Sequence, residues 1–352
     1  MPHRGSLTRR ALLTSLPHGV LAITVSACQW TWVDERSRID NGARQRVAAD
    51  KQALLRQYDA TMRQHPDTTT RLRPLVAEHR SHLVVLGMSN TDSSKPSLAA
   101  KPAESLEIAT NAPMAVPANA GAALAALATT ERMAADRRLA DVQIASPGLT
   151  RLLASIAGAE AAHAYLLKER LDNRIPLTKS TTASSKQPAG VPSEIDLLPT
   201  ATMTKIAALQ TALAAEHAAG YGYGVVGARS PKASRTTARS AYDAHRARRD
   251  ELSRLIVARH SRPAAAAPSY TLPFPVRDET DARRLAIYLE EGTAASYANL
   301  VSTSEGELRA FAARALLQAA IRASEWRRAS IPFPGLPKWS AQPPPVDTGG
   351  DG

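Results

Sequence analysis

The stretch that decides the fold is residues 206–227, IAALQTALAAEHAAGYGYGVVG. Residues at alternating three- and four-residue steps share one stripe of a helix. Here the stripe consists of Ile206, Leu209, Leu213, Glu216, Gly220 and Tyr223. Such a stripe faces other helices, yet this one carries Glu216 at its centre, with His217 beside it. Because a buried unpaired carboxylate is costly, Glu216 predicts a partner: a metal, an arginine or a hydrogen-bond donor.

Composition favours an all-α fold. The chain has 352 residues, enough for two domains, and only 4% of them are aromatic. It has almost none of the β-branched and aromatic runs that strands need. The formal net charge is +12, and much of it is arginine on stretches that also carry acids, such as residues 244–255. A solvated helix face accounts for this pattern. We therefore expect an anionic membrane surface, and no nucleic acid, as a partner.

The first 28 residues resemble a bacterial lipoprotein export signal. The twin arginines Arg9 and Arg10 precede an apolar stretch, residues 11–27, that is short for a membrane-spanning helix. The stretch leads into residues 25–28, VSAC, which are similar to a lipobox, and Cys28 is the only cysteine of the chain. The resemblance implies that Cys28 is diacylated and becomes the new N-terminus. We therefore expect an exported lipoprotein, anchored on the outer face of the cytoplasmic membrane.

Helical periodicity predicts two blocks of four helices, a first bundle over 38–170 and a second over 200–337. Polar, low-complexity composition predicts a disordered crossover at 88–119, a linker at 171–199 and a disordered tail at 338–352. Residues 29–37 are expected to form a tether. Residues 331–339 start apolar and are expected to pack on the second bundle. The predicted helices are about 38–65, 68–87, 120–144, 147–170, 200–228, 233–262, 278–303 and 305–329.

The two blocks repeat one another. AEHRSHL at 77–83 matches DAHRARR at 243–249, which places His79 over His245. TERMAA at 130–135 matches EEGTAA at 290–295, which places Glu131 over Glu291. These short matches occur in the same order within each block and therefore indicate internal duplication. The expected fold is all-α, with two tandem antiparallel four-helix bundles, each with its long connection between the second and third helices.

Several motifs of residues 200–337 carry a family resemblance. They are LQTALAAEHAAGYGYGVVGA, AHRARRDEL, YTLPFPV, LEEGTAASYANLV and IPFPGLP. With these motifs the second block resembles an actinobacterial ferritin-like domain family of unassigned function. The resemblance implies helical bundles on exported lipoproteins, and it carries no established activity.

Ferritin-like di-metal sites take a Glu from each of two helices and a Glu-x-x-His from each of the other two. In the first block, Glu160 and His163 match the latter motif, and Glu131 fits a helix with a single Glu. Glu78 with His79 or His82 approximates a second motif, and the first helix offers Tyr58 or Asp59 where another Glu is needed. A metal, iron or manganese with zinc as the alternative, is therefore expected to bind here if anywhere. The expected ligands are Glu78, His79, Glu131, Glu160 and His163.

The second block lacks the full ligand set. Glu216 and Glu291, or Glu290 in its place, fit the helices with a single Glu, and His245 lies at a ligand position. The last helix presents Arg322 instead of Glu-x-x-His, so Arg322 is the expected ionic partner of a buried acid. The buried polar residues expected in this bundle are Glu216, His217, His245 and Glu291.

Two classes of function stay open from the sequence. The first is a non-catalytic binding or scaffolding module of the cell envelope, with an envelope protein as its partner and with structural buried acids. The second is a metalloprotein with its site in the first bundle, unless an arginine such as Arg138 already lies among the expected ligands. The sequence contains no nucleophile elbow, phosphate-binding loop or cysteine-rich metal motif. An enzyme is therefore not the expected class.

Overall fold

A computed structural model describes the backbone of residues 26–87, 115–172 and 203–336, and the side chains of residues 35–87, 115–168 and 203–336. Over these residues the chain forms α-helices and one short 3-10 helix, Pro66–Thr68, and no strand. The prediction of an all-α fold is confirmed. The helices are α1 (Ser26–Gln64), α2 (Thr69–Val85), α3 (Ala120–Ile144), α4 (Pro147–Asp172), α5 (Lys205–Arg229), α6 (Lys232–Val257), α7 (Glu279–Thr303) and α8 (Gly306–Arg327).

Helix α1 begins earlier than the sequence pattern predicts. It starts at Ser26, so the backbone of residues 29–37 is helical and the prediction of a tether there is wrong. These residues have no apolar stripe, but no proline or glycine occurs between Ser26 and Gly42, so nothing breaks the helix. The same helix contains the backbone of Cys28.

Several predicted features lie outside the described residues. They are the twin arginines Arg9 and Arg10, residues 88–114 of the crossover, residues 173–199 of the linker and the tail at 338–352. Among the helices of the described ranges, none combines the length and the apolar character needed to cross a bilayer.

Local sequence explains where helices begin. The side chains of Asn119, Thr204 and Asp278 each accept a hydrogen bond from a backbone N–H of the following first turn, at 3.1, 3.1 and 2.9 Å. Such caps give partners to amides that a helix start leaves unpaired. The long connection of the second bundle, residues 258–278, covers the core beside α5 and α7 with side chains that include Leu272 and Phe274.

The largest hydrophobic core lies between the two bundles. It joins Leu153 and Ile156 of α4 to Leu209 of α5 and Leu316 of α8. The fourth helices of the two bundles, α4 and α8, pack directly on each other. At Gly158 a Cβ atom would lie 2.9 Å from a methyl group of Leu316, so glycine permits this close approach. The bundles are therefore not independent units, since each buries its fourth helix against the other.

The segment that follows α8, residues 328–336, crosses from the second bundle to the first, and we call it the strap. On the first bundle, the carbonyl oxygen of Pro332 accepts from His82 Nε2 at 2.6 Å, and that of Pro334 accepts from Ser155 Oγ at 2.8 Å. On the second bundle, Gly335 has a positive φ of +79°, and a Cβ there would lie 2.7 Å from the carbonyl oxygen of Ala294. The contact of Gly335 with Ala294 agrees with the expectation that residues 331–339 pack on the second bundle. The contacts with His82 and Ser155 add the first bundle, which the sequence does not predict. The carbonyl groups of its prolines are not used in secondary structure and accept hydrogen bonds from the first bundle.

Candidate functional site

Glu216, the acid at the centre of the opening stretch, is buried and has two partners. Its Oε2 lies 2.6 Å from His245 Nδ1, and its Oε1 accepts a hydrogen bond from the Tyr297 hydroxyl at 2.6 Å. His245 comes from α6 and Tyr297 from α7. The carboxylate therefore ties three helices together, as its need for a partner predicts.

Glu290 is the second buried acid of this bundle. Its Oε1 lies 3.1 Å from His245 Nε2 and accepts a hydrogen bond from the Tyr223 hydroxyl at 2.8 Å. Arg322 donates to both carboxyl oxygens of Glu290, at 2.6 and 3.0 Å. This bidentate pair matches the planar guanidinium to the carboxylate. The second cluster is defined as Glu216, Tyr223, His245, Glu290, Tyr297 and Arg322.

Two residues expected in this core lie elsewhere. Glu291 is partly exposed and pairs with Arg327, while its neighbour Glu290 is fully buried. Glu290 lies four residues after the buried Ala286 and seven before the buried Tyr297, so it shares their stripe, and Glu291 is one residue out of register. His217 is likewise only partly buried, and its Nε2 lies 3.3 Å from the carbonyl oxygen of Ala264.

Glu131 is the centre of the equivalent cluster in the first bundle. One of its oxygens, Oε1, accepts from the Tyr58 hydroxyl at 2.6 Å and from His79 Nε2 at 2.7 Å. The same oxygen lies 3.2 Å from His163 Nδ1. All four side chains are fully buried, and they come from α1, α2, α3 and α4. The expected single-Glu helix and the expected histidines therefore meet, with Tyr58 as the contribution of α1.

Glu78 lies between this cluster and the strap. Its Oε2 lies 2.9 Å from His163 Nε2, and its Oε1 accepts a hydrogen bond from Ser330 of the strap at 2.7 Å. His82, the alternative ligand of α2, instead donates to Pro332 and stacks edge-on against Phe333, with ring centroids 5.2 Å apart. His82 therefore holds the strap, and it borders the cluster through an edge-on contact with the His79 ring, with centroids 5.9 Å apart.

Lys51 is the residue that sequence reasoning missed. It is fully buried, and its Nζ lies 2.7 Å from Glu160 Oε1 and 3.1 Å from His79 Nδ1. Glu160 is close to the ammonium but poorly aligned with it for a hydrogen bond. A signal was present, because Lys51 falls four residues after Val47 and three before Leu54, on the apolar stripe of α1. The first cluster is defined as Lys51, Tyr58, Glu78, His79, Glu131, Glu160 and His163.

The two histidines on Glu131 have opposite protonation states. Burial, reinforced by Lys51, lowers the pKa of His79 to about 4. Burial also disfavours the charged form of His163, but Glu131 and Glu78 outweigh it and raise its pKa to about 9. An ammonium only donates, so His79 Nδ1 accepts from Lys51 and its Nε2–H donates to Glu131. His79 is thus neutral, and His163 is the imidazolium that balances two carboxylates.

Burial and neighbouring charges also shift the pKa values of the buried carboxyl groups. Burial would raise the pKa of Glu131, but the two histidines hold it well below its ordinary value. Burial raises the pKa of Glu160, and Lys51 and Arg138 offset this only in part. In the second cluster, burial opposes the charge of His245 and Glu290. Glu290 and Glu216 nevertheless raise the pKa of His245. Arg322 and His245 lower the pKa of Glu290 to about 2.

The structure brings some of the expected metal ligands of the first bundle together and separates others. One donor atom each from His79, Glu131 and His163 lie within 4.8 Å of one another. Glu78 contacts His163, but Glu160 faces Lys51, whose ammonium also takes His79 Nδ1. Arg138, expected as the competing cation, pairs instead with Asp50. A lysine, and not an arginine, therefore occupies the first cluster.

The second cluster does not fit a metal. The guanidinium of Arg322 spans both oxygens of Glu290, so a fixed positive charge occupies the carboxylate that an ion would need. The cavity that borders Glu290, Arg327 and Gly335 has space for about one water molecule. This cavity is too small to admit a substrate.

Comparison with known proteins finds similarity for the second bundle. Residues 208–338 match the family model described as a domain of unknown function (DUF4439). A solved structure described as a conserved hypothetical protein from Mycobacterium tuberculosis is 39% identical. It matches 35% of this chain and 95% of its own length, with a TM-score of 0.35. Comparison with curated proteins gives no match. The family match contains the second cluster and the strap, and it includes no residue of the first bundle.

Proposed function

We propose that this protein is a non-catalytic, lipid-anchored module of the cell envelope, built from two ferritin-like four-helix bundles. Its buried charged residues hold helices in register and leave the outer surface to bind a partner. A single observation carries the proposal: in each buried cluster a cation of the chain itself pairs with a buried carboxylate, Lys51 with Glu160 in one and Arg322 with Glu290 in the other. Buried ionic groups of this kind favour specificity of packing more than net stability.

Further features support the ferritin-like part of the proposal. In both bundles the long connection follows the second helix, and inward acids and histidines meet at the centre. The lipobox-like residues that end in Cys28 support the lipid anchor. The twin arginines Arg9 and Arg10 support export of a folded chain. The proposed location is the outer face of the cytoplasmic membrane.

A metal centre is the second candidate. The 4.8 Å separation of the His79, Glu131 and His163 donors favours it, and imidazole with carboxylate suits iron, manganese or zinc. His79, Glu131, His163 and Glu78 would hold the ion, which would supply Lewis-acid or redox chemistry. The ammonium of Lys51, which lies 3.1 Å from His79 Nδ1, opposes it, because an ion bound among these buried ligands would be repelled by that second positive charge.

The deciding experiment is metal analysis of the full chain purified from its native membrane, beside a Cys28→Ala variant. We expect less than a stoichiometric amount of iron, manganese or zinc in the wild-type protein. We also expect Cys28→Ala to leave the membrane fraction or to accumulate uncleaved. A stoichiometric metal would overturn the non-metal proposal, and unchanged membrane retention of Cys28→Ala would overturn the anchor.

A further inference from the structure

The first cluster surrounds Lys51 with atoms that ordinarily bind a metal cation. Its Nζ is 2.7 Å from Glu160 Oε1 and 3.1 Å from His79 Nδ1, and both of these atoms have a lone pair to give. The ammonium reaches them from α1, the helix that provides no carboxylate or imidazole to the cluster. Lys51 therefore provides the charge that a bound ion would provide, at the tip of a flexible chain.

The cluster retains unused acceptor capacity. Glu131 gathers Tyr58, His79 and His163 on Oε1, while its Oε2 is buried and, among the described residues, has no hydrogen-bond partner. Both oxygens of Glu160 are likewise buried without a well-aligned donor. A packed core satisfies nearly all of its buried polar atoms. Glu131 Oε2 and Glu160 Oε2 depart from this rule, and Glu160 Oε1 has only the poorly aligned ammonium of Lys51. These oxygens indicate a cage suited to a cation of higher charge.

In the second cluster, the equivalent helices provide the buried cation from a different position. Lys51 precedes Tyr58 by seven residues, and Glu216 precedes Tyr223 by seven, so the two pairs hold equivalent places on the first helix of each bundle. There an acid replaces the lysine, and the cation comes from Arg322 on the fourth helix. The cation of the first cluster is thus a separate feature of that cluster and is not required by the fold.

We propose that Lys51 is the resident cation of a latent divalent-metal site, and that its ammonium keeps this site closed to metal. The proposal rests on the proposed function, in which the chain works without metal. Without the Lys51 side chain, Glu160 and His79 Nδ1 would face an empty space beside Glu131 and His163. Two imidazoles with two carboxylates form a ligand set for Mn²⁺, Fe²⁺ or Zn²⁺, and His163 would release a proton to the solvent when it binds the ion.

The test compares the chelator-treated full chain with its Lys51→Ala variant. Binding of Zn²⁺ and of Mn²⁺ is measured by calorimetry, and thermal unfolding is followed with and without each metal. We expect Lys51→Ala to bind one ion per chain at least about 100-fold more tightly than the wild type, because a nearby repelling charge is gone. Its unfolding midpoint should rise with metal concentration, as linkage requires, while that of the wild type stays constant.

Two control variants sharpen the result. Lys51→Arg keeps a positive charge in the cage and should not gain metal binding. Adding His163→Ala to Lys51→Ala removes one ligand and should abolish the binding that was gained. If Lys51→Ala is unfolded without metal, folding on addition of Zn²⁺ or Mn²⁺ supports the proposal, and failure to fold with either ion contradicts it.

The outcomes separate this inference from the proposed function. If the folded Lys51→Ala variant binds neither ion more tightly than wild type, the latent site is wrong and the non-metal function stands. If the wild-type chain holds a stoichiometric metal from its native membrane, both are wrong.

Discussion

The two bundles have the same buried triad and shift the pKa of its histidine in opposite directions. Tyr58, Glu131 and His79 in the first bundle correspond to Tyr223, Glu290 and His245 in the second, with similar hydrogen bonds. The other nitrogen of His79 faces Lys51, whereas that of His245 faces Glu216. Consequently the pKa of His79 falls with burial to about 4, and that of His245 rises. Burial dominates the shift at His79, and Glu290 is the strongest of the charges that raise the pKa of His245. The side chain on the first helix of each bundle, Lys51 or Glu216, adds to the shift in the same direction.

The fourth helices complete the contrast. Glu131 accepts from the imidazolium of His163, and Glu290 accepts from the guanidinium of Arg322. The histidine can lose its proton, while the arginine keeps its charge at any physiological pH. The two bundles therefore share a hydrogen-bonding plan and differ in how their buried charge responds to pH.

The largest effect is expected from Lys51→Glu, which gives the first bundle the acid that the second bundle has. Two carboxylates would then face each other in the core, so we expect a loss of about 3–5 kcal/mol in the free energy of unfolding. Urea unfolding at neutral pH measures this loss. The reciprocal pair Lys51→Glu with Glu160→Lys should recover part of it, since the opposite charges are restored. A loss below about 1 kcal/mol for the single variant would contradict the role given to Lys51.

An intermediate effect is expected at the paired tyrosines. Tyr58→Phe removes one hydrogen bond to a buried carboxylate, which costs about 1.5–3 kcal/mol. Tyr223→Phe removes the equivalent bond and also leaves Trp326 Nε1 without the hydroxyl to which it donates at 3.1 Å. We therefore expect the larger loss for Tyr223→Phe in denaturant unfolding. Equal losses would mean that the tryptophan contact contributes no stability.

The smallest effect is a difference in pH dependence. His79 has a lowered pKa, so its contribution to stability is present above about pH 6.5 and is lost as the pH falls towards about 4. His163 has a raised pKa, so its contribution is present below about pH 6.5 and is lost as the pH rises through about 9. NMR titration should find His79 neutral and His163 protonated at pH 7, and should find the pKa of His245 above its ordinary value. A protonated His79 at that pH would contradict the comparison of the two bundles.

Much of the candidate site was visible in the sequence. Glu131, Glu160, His163 and Glu216 lie on apolar helix stripes, and the structure buries all four. Register between helices was harder to predict, because a short alignment of the two blocks places Glu131 over Glu291 while the packing selects Glu290. Lys51 was passed over because lysine is seldom buried without a partner, and its partner Glu160 lies far away in the sequence.

The sequence by itself determined the all-α class and, for α2 to α8, helix positions close to those observed, because apolar periodicity and helix caps are local properties of the chain. Only the tertiary structure decided which cation meets which acid. It also decided that α4 and α8 share one core and that the strap reaches His82 and Ser155 of the first bundle. These features depend on distances between side chains that are remote in sequence. Such distances are set by how the helices pack, and the pattern of any single helix does not contain them.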